Sequence, residues 1–233
     1  MLPMLAAALF LLSSRPPGNP AQAVVRALEH RYQHASTLKA VFLERYTDGN
    51  GGISAESGTV YFSRPGRMRW EYESPETKLF LVDGTNVWLY VPADHTASRA
   101  KVKESSDWRT PLALLTGKAN LDKICRNISI DDPATNPKFK PDDRPSTPGD
   151  AVLLCVPREA SSDPGSGIRE ILFETDPQAH LVRVLVRQPG DLETEFRFGD
   201  WQENIPIPEI KFHFVAPRGV EIVDASKLAS EAQ

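Results

Sequence analysis

Residues 57–92 contain four short β-strand patterns in succession, and this run constrains the fold more than any other part of the chain. The predicted strands cover residues 58–64, 67–74, 78–82 and 86–91. Pro65-Gly66 and Asp83-Gly84 are turn dipeptides between them, since proline presets φ and glycine accepts a positive φ. β-Branched and aromatic residues fill the strands, and breakers interrupt them too often for a helix to form. The run therefore predicts a mainly β protein.

The faces of these strands differ in a way that indicates what covers them. In the second strand Met68, Trp70 and Tyr72 share one face, and charged residues occupy the other, as in a half-buried antiparallel strand. In the third and fourth strands both faces are apolar. One apolar face can lie in the interior of the domain. The other requires a helix, a second sheet or an apolar ligand.

The remaining chain predicts one domain. Residues 21–34 have the apolar spacing of an amphipathic helix. Further strand patterns cover residues 38–47, 96–103, 121–130, 151–156, 168–175, 180–187, 192–201 and 209–215. No internal repeat or domain boundary interrupts residues 24–225, and residues 226–233 form a short tail. About eleven strands and two helices predict a single strongly curved antiparallel sheet, or open barrel, in the α+β class.

The N-terminus predicts export from the cytoplasm. The apolar run MLPMLAAALFLLSS is shorter than the ~20 residues that a membrane-spanning helix requires. Ala21-Gln22-Ala23 matches the A-x-A pattern of a cleavage site. We therefore interpret residues 1–23 as a signal peptide that is cleaved near Ala23.

Two cysteines, Cys125 and Cys155, are the only ones in the sequence. In an exported protein such a pair favours a disulfide, with two separately buried thiols as the alternative. If Cys125 faces Cys155 in a hairpin, Ile130 falls opposite Asp150. Residues 131–149, rich in proline and aspartate, then form a mobile, solvated loop.

No arrangement of residues indicates catalysis or a metal. The sequence lacks G-x-S-x-G, H-E-x-x-H and a glycine-rich phosphate loop. His30 and His34 could share a metal but lack a third ligand, and residues 48–52 fit a turn better than half a calcium loop. The net charge of −4 offers nothing to attract nucleic acid. We expect no enzyme activity and no cofactor.

Two features suggest a covered apolar interior. Residues 107–117 read as a short amphipathic helix, which presents Leu112, Leu114 and Leu115. A connecting helix this apolar is expected to cover something. Arg64 alternates onto the same face as Val60 and Phe62. Its guanidinium either turns out into solvent or reaches inward and donates to backbone carbonyls of a covering helix.

The order of these motifs resembles the LolA family, the periplasmic carriers of outer-membrane lipoproteins. The matching segments are the N-terminal helix, STLKAVFLERYTDGNGG, SGTVYFSRPGRMRWEY, LFLVDGTNVWLYVP, the W-x-x-P-x-x-L-L helix and FHFVAPRGVEIVD. The resemblance covers roughly residues 21–225 and is most specific over residues 58–92. The cysteine pair and the 131–149 loop depart from the family pattern.

The resemblance implies an unclosed β-barrel with an α-helical lid over a hydrophobic cavity. It also implies that Arg64 is a latch, meaning a residue that holds the lid shut until lipid enters. The helix with Leu112, Leu114 and Leu115 would belong to that lid. The implied partners are lipoproteins, an inner-membrane lipoprotein-releasing ABC transporter and an outer-membrane receptor. We expect a monomer that carries its cargo through the periplasm.

Side-chain alternation supplies the candidate cavity residues. They are Val60, Phe62, Met68, Trp70, Tyr72, Leu89, Phe196 and Phe198. Ordinary core packing is the alternative for each of them. Three other functions stay open: a lipid- or small-hydrophobe-binding protein of the same architecture, a hydrolase or isomerase in the barrel mouth, and a structural envelope protein.

Overall fold

The computed structural model describes residues 19–102, 115, 120–130, 140, 143–158 and 167–225. Most of the predicted signal peptide, the 226–233 tail and, apart from Leu115, the 107–117 helix lie outside the described residues. Among the described residues, none of the helices combines the length with the hydropathy of a membrane span.

The N-terminal helix, α1, spans Pro20–Gln33, as its apolar spacing predicts. Asn19 caps it, since its side-chain oxygen accepts from the backbone N–H of Ala21 at 3.0 Å, and Pro20 occupies the first turn. Its buried stripe consists of Ala21, Val25, Leu28 and Tyr32. The predicted cleavage near Ala23 falls inside this helix.

Twelve strands form one sheet among the described residues. They are β1 (Thr37–Thr47), β2 (Ile53–Ser63), β3 (Arg67–Ser74), β4 (Lys78–Val82), β5 (Asn86–Val91), β6 (Thr96–Lys101), β7 (Cys125–Ile130), β8 (Ala151–Pro157), β9 (Glu170–Thr175), β10 (Leu181–Arg187), β11 (Glu193–Glu203) and β12 (Glu221–Asp224). A short helix, α2 (Leu121–Ile124), precedes β7, and 3₁₀ turns occupy Pro92–Asp94, Pro189–Asp191 and Glu209–Phe212.

The strand order is β12-β6-β5-β4-β3-β2-β1-β11-β10-β9-β8-β7. Neighbours pair antiparallel except β12 and β6, which pair parallel. The first and last strands in this order do not pair with each other in the described part of the chain, so the sheet is unclosed. The predicted fold class, a mainly β protein built on one unclosed antiparallel sheet, is confirmed.

The four strands of residues 57–92, the four-strand block, lie close to their predicted bounds because the residues of the turns determine where each strand ends. Strands β3, β4 and β5 have the predicted bounds, whereas β2 begins five residues earlier, at Ile53. Gly66 and Gly84 both adopt positive φ. Burial alone would raise the pKa of Asp83, but donors from Asn86, Trp88 and Thr85 outweigh it and hold that pKa below its ordinary value. The Asp83 carboxylate thereby fixes the β4–β5 turn.

The strand prediction for residues 209–215 is wrong, and the one for residues 121–130 is wrong over residues 121–124. Residues 209–215 contain the 3₁₀ helix Glu209–Phe212, which buries Phe212 against the guanidinium of Arg67 at 5.2 Å. Residues 121–124 form α2 because the Asn120 side chain accepts from the Lys123 N–H at 3.0 Å and starts a helical turn. The parallel strand β12 was not predicted.

The disulfide between Cys125 and Cys155 is present, with Cα atoms 5.5 Å apart. The predicted register is wrong, because Ile130 pairs with Leu153 and Cys125 pairs with Pro157. A bulge after Cys125 shifts the ladder, so the disulfide joins diagonal neighbours on one face.

Replacing both cysteines with serine is expected to lower the free energy of unfolding by about 3.5 kcal/mol, because the loop that the disulfide closes in the unfolded chain then becomes free to adopt more conformations. The sequence separation of the pair is 30 residues. Urea denaturation with and without a reductant measures the difference. Equal midpoints for the two proteins would contradict a stabilising role.

The end of the 131–149 loop is attached to the sheet through Asp143, although Arg144 and residues 146–149 are exposed as predicted. Asp143 is fully buried, and the 143–150 segment lies on the outer face of β9 and β10. There Arg183 pairs with Glu174 at 2.6 Å and donates to the carbonyls of Asp143 and Arg144 at 3.1 and 3.0 Å. The proline and aspartate content did not predict this attachment, in which Arg183 and Arg187 on the sheet bind Asp143 and the Arg144 carbonyl.

Candidate functional site

The inner face of the sheet, defined as the face that shares its apolar core with α1, holds most candidate cavity residues. Seven of the eight are at most 8% exposed: Val60, Phe62, Met68, Trp70, Tyr72, Phe196 and Phe198. Leu89 pairs with Phe80 on the same face but is 39% exposed, at the β5 side of the sheet. Alternation therefore assigned the face correctly, and Leu89 marks where its cover is incomplete.

Aromatic rings form the centre of this face. Trp70 packs against Phe42 at 4.7 Å, Phe196 at 5.3 Å and Phe62 and Phe198 at 6.1 Å between ring centroids. The rings meet mostly edge to face, as their quadrupoles favour. We call Phe42, Phe62, Trp70, Phe196 and Phe198 the aromatic wall. It extends over β1, β2, β3 and β11.

Helix α1 packs at the β7, β10 and β11 side of this face, where Tyr32 lies 5.6 Å from Trp201 between ring centroids, and all four residues of its buried stripe belong to the same core as the wall. Leu115, the described residue of the predicted lid helix, is also fully buried in that core. Leu112 and Leu114 lie outside the described residues. Among the described residues, most of the inner face therefore lies in one apolar core, to which α1 and Leu115 contribute.

Arg64 lies at the C-terminal end of α1. Its Nη1 donates to the carbonyl oxygen of Gln33 at 3.4 Å, and its backbone N–H donates to Ser36 at 3.0 Å. Its Nε is buried without a hydrogen-bond partner among the described residues, and burial lowers the pKa of the guanidinium. A cation is favourable at this helix end, where carbonyl groups point outward. The contact is long, so Arg64 binds the helix weakly.

A second polar contact joins α1 to the sheet, and sequence reasoning missed it. Arg31 donates to the carbonyl of Gln178 at 2.9 Å, pairs with Glu203 at 2.7 Å and contacts Nε2 of His180. Since a guanidinium only donates, Nε2 accepts, and Nδ1–H donates to Asp176 at 2.7 Å. No local signal could have paired residues about 150 positions apart.

The hydroxyl of Tyr32 strengthens the same attachment. It accepts from the backbone N–H of Leu181 at 2.9 Å, and Trp201 donates to the Leu181 carbonyl at 2.9 Å. Burial raises the pKa of the Tyr32 hydroxyl far above its ordinary value. The C-terminal half of α1 is thus held by neutral and ionic hydrogen bonds, and its displacement must break both kinds.

Glu44 is a further residue that sequence reasoning did not select. Its carboxylate is buried on the inner face beside the aromatic wall and accepts from the Tyr72 hydroxyl at 2.6 Å. The signal was available, because Glu44 alternates with Ala40 and Phe42 on the buried side of β1. An acidic residue in that series is a departure from an otherwise apolar face.

A metal centre finds no support in the described residues, where no group of three or more His, Cys, Asp or Glu side chains could hold an ion. Residues 48–52 have a sequence that resembles half a calcium loop. Asp48 there accepts from the backbone N–H groups of Asn50 and Gly52 at 2.8 and 2.7 Å. Residues 48–52 are therefore the turn between β1 and β2.

Comparisons with known proteins agree with this fold. A chain from Thermus thermophilus, described as an uncharacterized conserved protein, has a similar structure with a TM-score of 0.52 at 10% identity, covering 88% of this chain and 98% of that one. At this identity the likeness concerns the fold alone.

Sequence relatives are more informative. An outer-membrane lipoprotein carrier protein of Chromobacterium violaceum is 27% identical over 205 residues, covering 88% of this chain and 89% of the relative. One from Bordetella avium is 30% identical over 169 residues, covering 72% and 71%. The family model described as outer membrane lipoprotein carrier protein LolA matches residues 33–215, most of the described sheet. The chain therefore belongs to the LolA family of outer membrane lipoprotein carrier proteins.

Proposed function

We propose that this protein binds the acyl chains of lipoproteins on the inner face of its sheet and carries them through the periplasm from the inner to the outer membrane. The observation that supports this most is the apolar inner face, which shares its core with the buried stripe of α1, a helix that a few polar contacts attach to the sheet. Family membership supports the cargo class, since the relatives are named as outer-membrane lipoprotein carriers.

Such a carrier must offset a large free-energy cost, which is that of exposing an acyl chain to water. Each buried methylene is worth about 0.8 kcal/mol, so a 16-carbon acyl chain costs ~13 kcal/mol when it is exposed to water. An aromatic wall with a removable cover can shield such a chain from water, and no catalysed reaction is needed. The cover must also compete with the lipid, so that the cargo is given up on delivery.

In this proposal α1 and the segment around Leu115 form the cover, and Arg64 is its latch. The Arg64–Gln33 hydrogen bond favours the closed arrangement, and lipid entry breaks it. Loading would come from an inner-membrane ABC transporter, and delivery would go to an outer-membrane receptor. The protein would act as a monomer, after cleavage of its signal peptide.

Replacing Arg64 with leucine is expected to tighten acyl binding by about three- to tenfold, because the Arg64–Gln33 hydrogen bond is long and exposed and is worth no more than an ordinary one. Closure of the cover no longer competes as strongly with lipid, so transfer to acceptor membranes should slow. Fluorescence titration with a lipopeptide measures the affinity. Arg67→Leu is the control, because Arg67 packs on Phe212 at the outer face. Unchanged affinity in Arg64→Leu would argue against the latch.

Depletion of the protein in its native host tests the function itself. We expect lipoproteins destined for the outer membrane to accumulate at the inner membrane, whereas a periplasmic protein without a lipid should be unaffected. Normal sorting after depletion would contradict the proposal and would favour a lipid-binding protein of the same fold with another cargo. Photo-crosslinking to lipid from Phe62, with the exposed outer-face residue Val41 as control, identifies the face that binds.

A further inference from the structure

The contact between Arg31 and His180 depends on the protonation state of one imidazole. The Nδ1–H of His180 donates to the Asp176 carboxylate at 2.7 Å, and Nε2 accepts from the guanidinium of Arg31. A second proton would have to bind at Nε2, the atom that faces Arg31. The imidazole would then offer no acceptor, and two cationic groups would face each other. The contact therefore requires a neutral His180.

The sheet side of this contact is held by its own hydrogen bonds. Oδ1 of Asp176 accepts from the backbone N–H groups of Gln178 and His180 at 2.9 and 2.8 Å, and the backbone N–H of Asp176 donates to the His180 carbonyl at 3.1 Å. Burial alone would raise the pKa of Asp176, but these donors and the imidazole outweigh it and hold that pKa below its ordinary value. Asp176 thus stays charged and keeps the proton on Nδ1, whether α1 is attached or not.

The charged groups around His180 come from four elements. Asp176 lies in the β9–β10 turn, and Asp150, just before β8, interacts electrostatically with it. Glu203 on β11 pairs with Arg31 of α1 at 2.7 Å. When α1 moves away, Arg31 leaves and the three carboxylates stay. A protonated His180 is therefore more favourable when α1 is displaced than when it is attached.

Solvent protons can reach this imidazole, because the side chains of Arg31 and His180 are 26% and 28% exposed. Histidine is the residue that ordinarily changes charge between about pH 5 and 8. Other polar contacts attach α1 to the described part of the chain without a histidine. They join the Tyr32 hydroxyl to the Leu181 N–H, Arg64 to the Gln33 carbonyl, and the Glu29 carboxylate to the Leu121 N–H at 2.8 Å.

We propose that His180 is a second latch, controlled by a proton: neutral His180 accepts from Arg31 and holds α1 closed, and protonated His180 releases the C-terminal half of the helix. The proposal rests on the carrier function above and adds its regulation. A proton shifts an equilibrium toward the state that binds it better, and closure competes with lipid. A lower pH should thus favour loading, and a higher pH should favour release of the acyl chains.

The size of the effect is limited, because Arg31 keeps two other bonds. Its ion pair with Glu203 and its bond to the Gln178 carbonyl at 2.9 Å do not depend on the imidazole. We therefore expect a shift in the equilibrium between the closed and open arrangements rather than a complete opening.

The first test needs no lipid. Hydrogen–deuterium exchange of the lipid-free protein is measured at about pH 8 and about pH 5.5 and corrected for the intrinsic pH dependence of exchange. In the wild type, the amides of the last two turns of α1 should be about three- to tenfold less protected at the lower pH, as for the loss of one hydrogen bond. His180→Gln cannot gain the charge and should show equal protection at both.

The second test connects the latch to the cargo. Fluorescence titration uses a lipopeptide that has no titratable group, so that its own charge is constant. We expect the wild type to bind it about three- to tenfold more tightly at the lower pH, and His180→Gln to bind it equally at both. His180→Lys places a permanent charge beside Arg31, and at the higher pH it should bind as tightly as the wild type does at the lower pH.

His213→Gln is the matched control. His213 also lies beside a carboxylate, with its Nε2 3.9 Å from Glu209, but it is 56% exposed and follows the 3₁₀ helix at the outer face. This variant should keep the pH response. His30 and His34 lie on α1, where their rings contact each other at 4.6 Å. Both remain in His180→Gln, so a response that this variant loses does not come from them.

Equal protection of α1 at both pH values in the wild type would overturn the proposal, and so would a response that survives in His180→Gln. A change in protection without a change in lipopeptide affinity would overturn the control of the cargo. If the lipopeptide binds no better than the same peptide without lipid at either pH, the carrier function fails, while hydrogen exchange still decides whether His180 controls α1.

Discussion

Replacing Arg183 with methionine is expected to lower the free energy of unfolding by about 3–5 kcal/mol, the cost of leaving a buried charge without its partner. Arg183 is 1% exposed, and Glu174, which pairs with it at 2.6 Å, is fully buried. The variant also loses both bonds from Arg183 to the carbonyls of Asp143 and Arg144. Urea denaturation followed by circular dichroism measures the loss.

Two further variants make this result specific. Arg169→Met removes an exposed arginine and should change stability by less than about 0.5 kcal/mol. Adding Glu174→Leu to Arg183→Met should restore part of the loss, because no uncompensated carboxylate then remains. A double variant as unstable as the sum of its single variants would show that the pair is not the source of the effect.

Replacing Trp70 with alanine is expected to cost about 3–5 kcal/mol and to remove most of the acyl binding. Trp70 is fully buried at the centre of the aromatic wall and packs against four other rings. Since the variant could unfold at growth temperature, binding is measured in the cold, and Trp70→Phe is tested beside it. We expect the phenylalanine variant to keep part of both the stability and the binding.

Trp88→Ala is the matched control. Trp88 is half-buried on the outer face and stacks on Phe214 at 4.8 Å. It should cost less stability and leave acyl binding unchanged. If Trp88→Ala weakened lipopeptide binding as much as Trp70→Ala did, the inner face would not be the binding surface.

Local chemistry made the four-strand block predictable. Prolines, glycines and the Asp83 turn determine where its strands end, and alternation determines which face is apolar. The same reasoning failed for Arg183, because alternation shows on which side of β10 it lies but not that residues 143–150 cover that side. The chain that covers it is separated from β10 by about forty positions and carries no pattern of its own.

The site was predictable in part for the same reason. Alternation placed Trp70 and its neighbours on one face, and Glu44 was visible as a polar exception on that face. The attachment of Arg31 to His180 was not visible, because the two are joined only when β10 and β11 assemble beside α1. Contacts between distant elements depend on the tertiary structure, which composition and spacing do not specify.

The pairing of β1 with β11 has a consequence for how the protein folds. Leu38 pairs with Glu203, so the seam at the middle of the sheet joins residues from nearly opposite ends of the chain. Sequence-distant pairings of this kind carry a high entropic cost before they gain stability, and they slow folding. Strands β1–β6 can form hairpins early, but their aromatic side chains stay open to water until β11 arrives. A newly made chain therefore passes through a period in which the apolar inner face of the sheet is a site for aggregation.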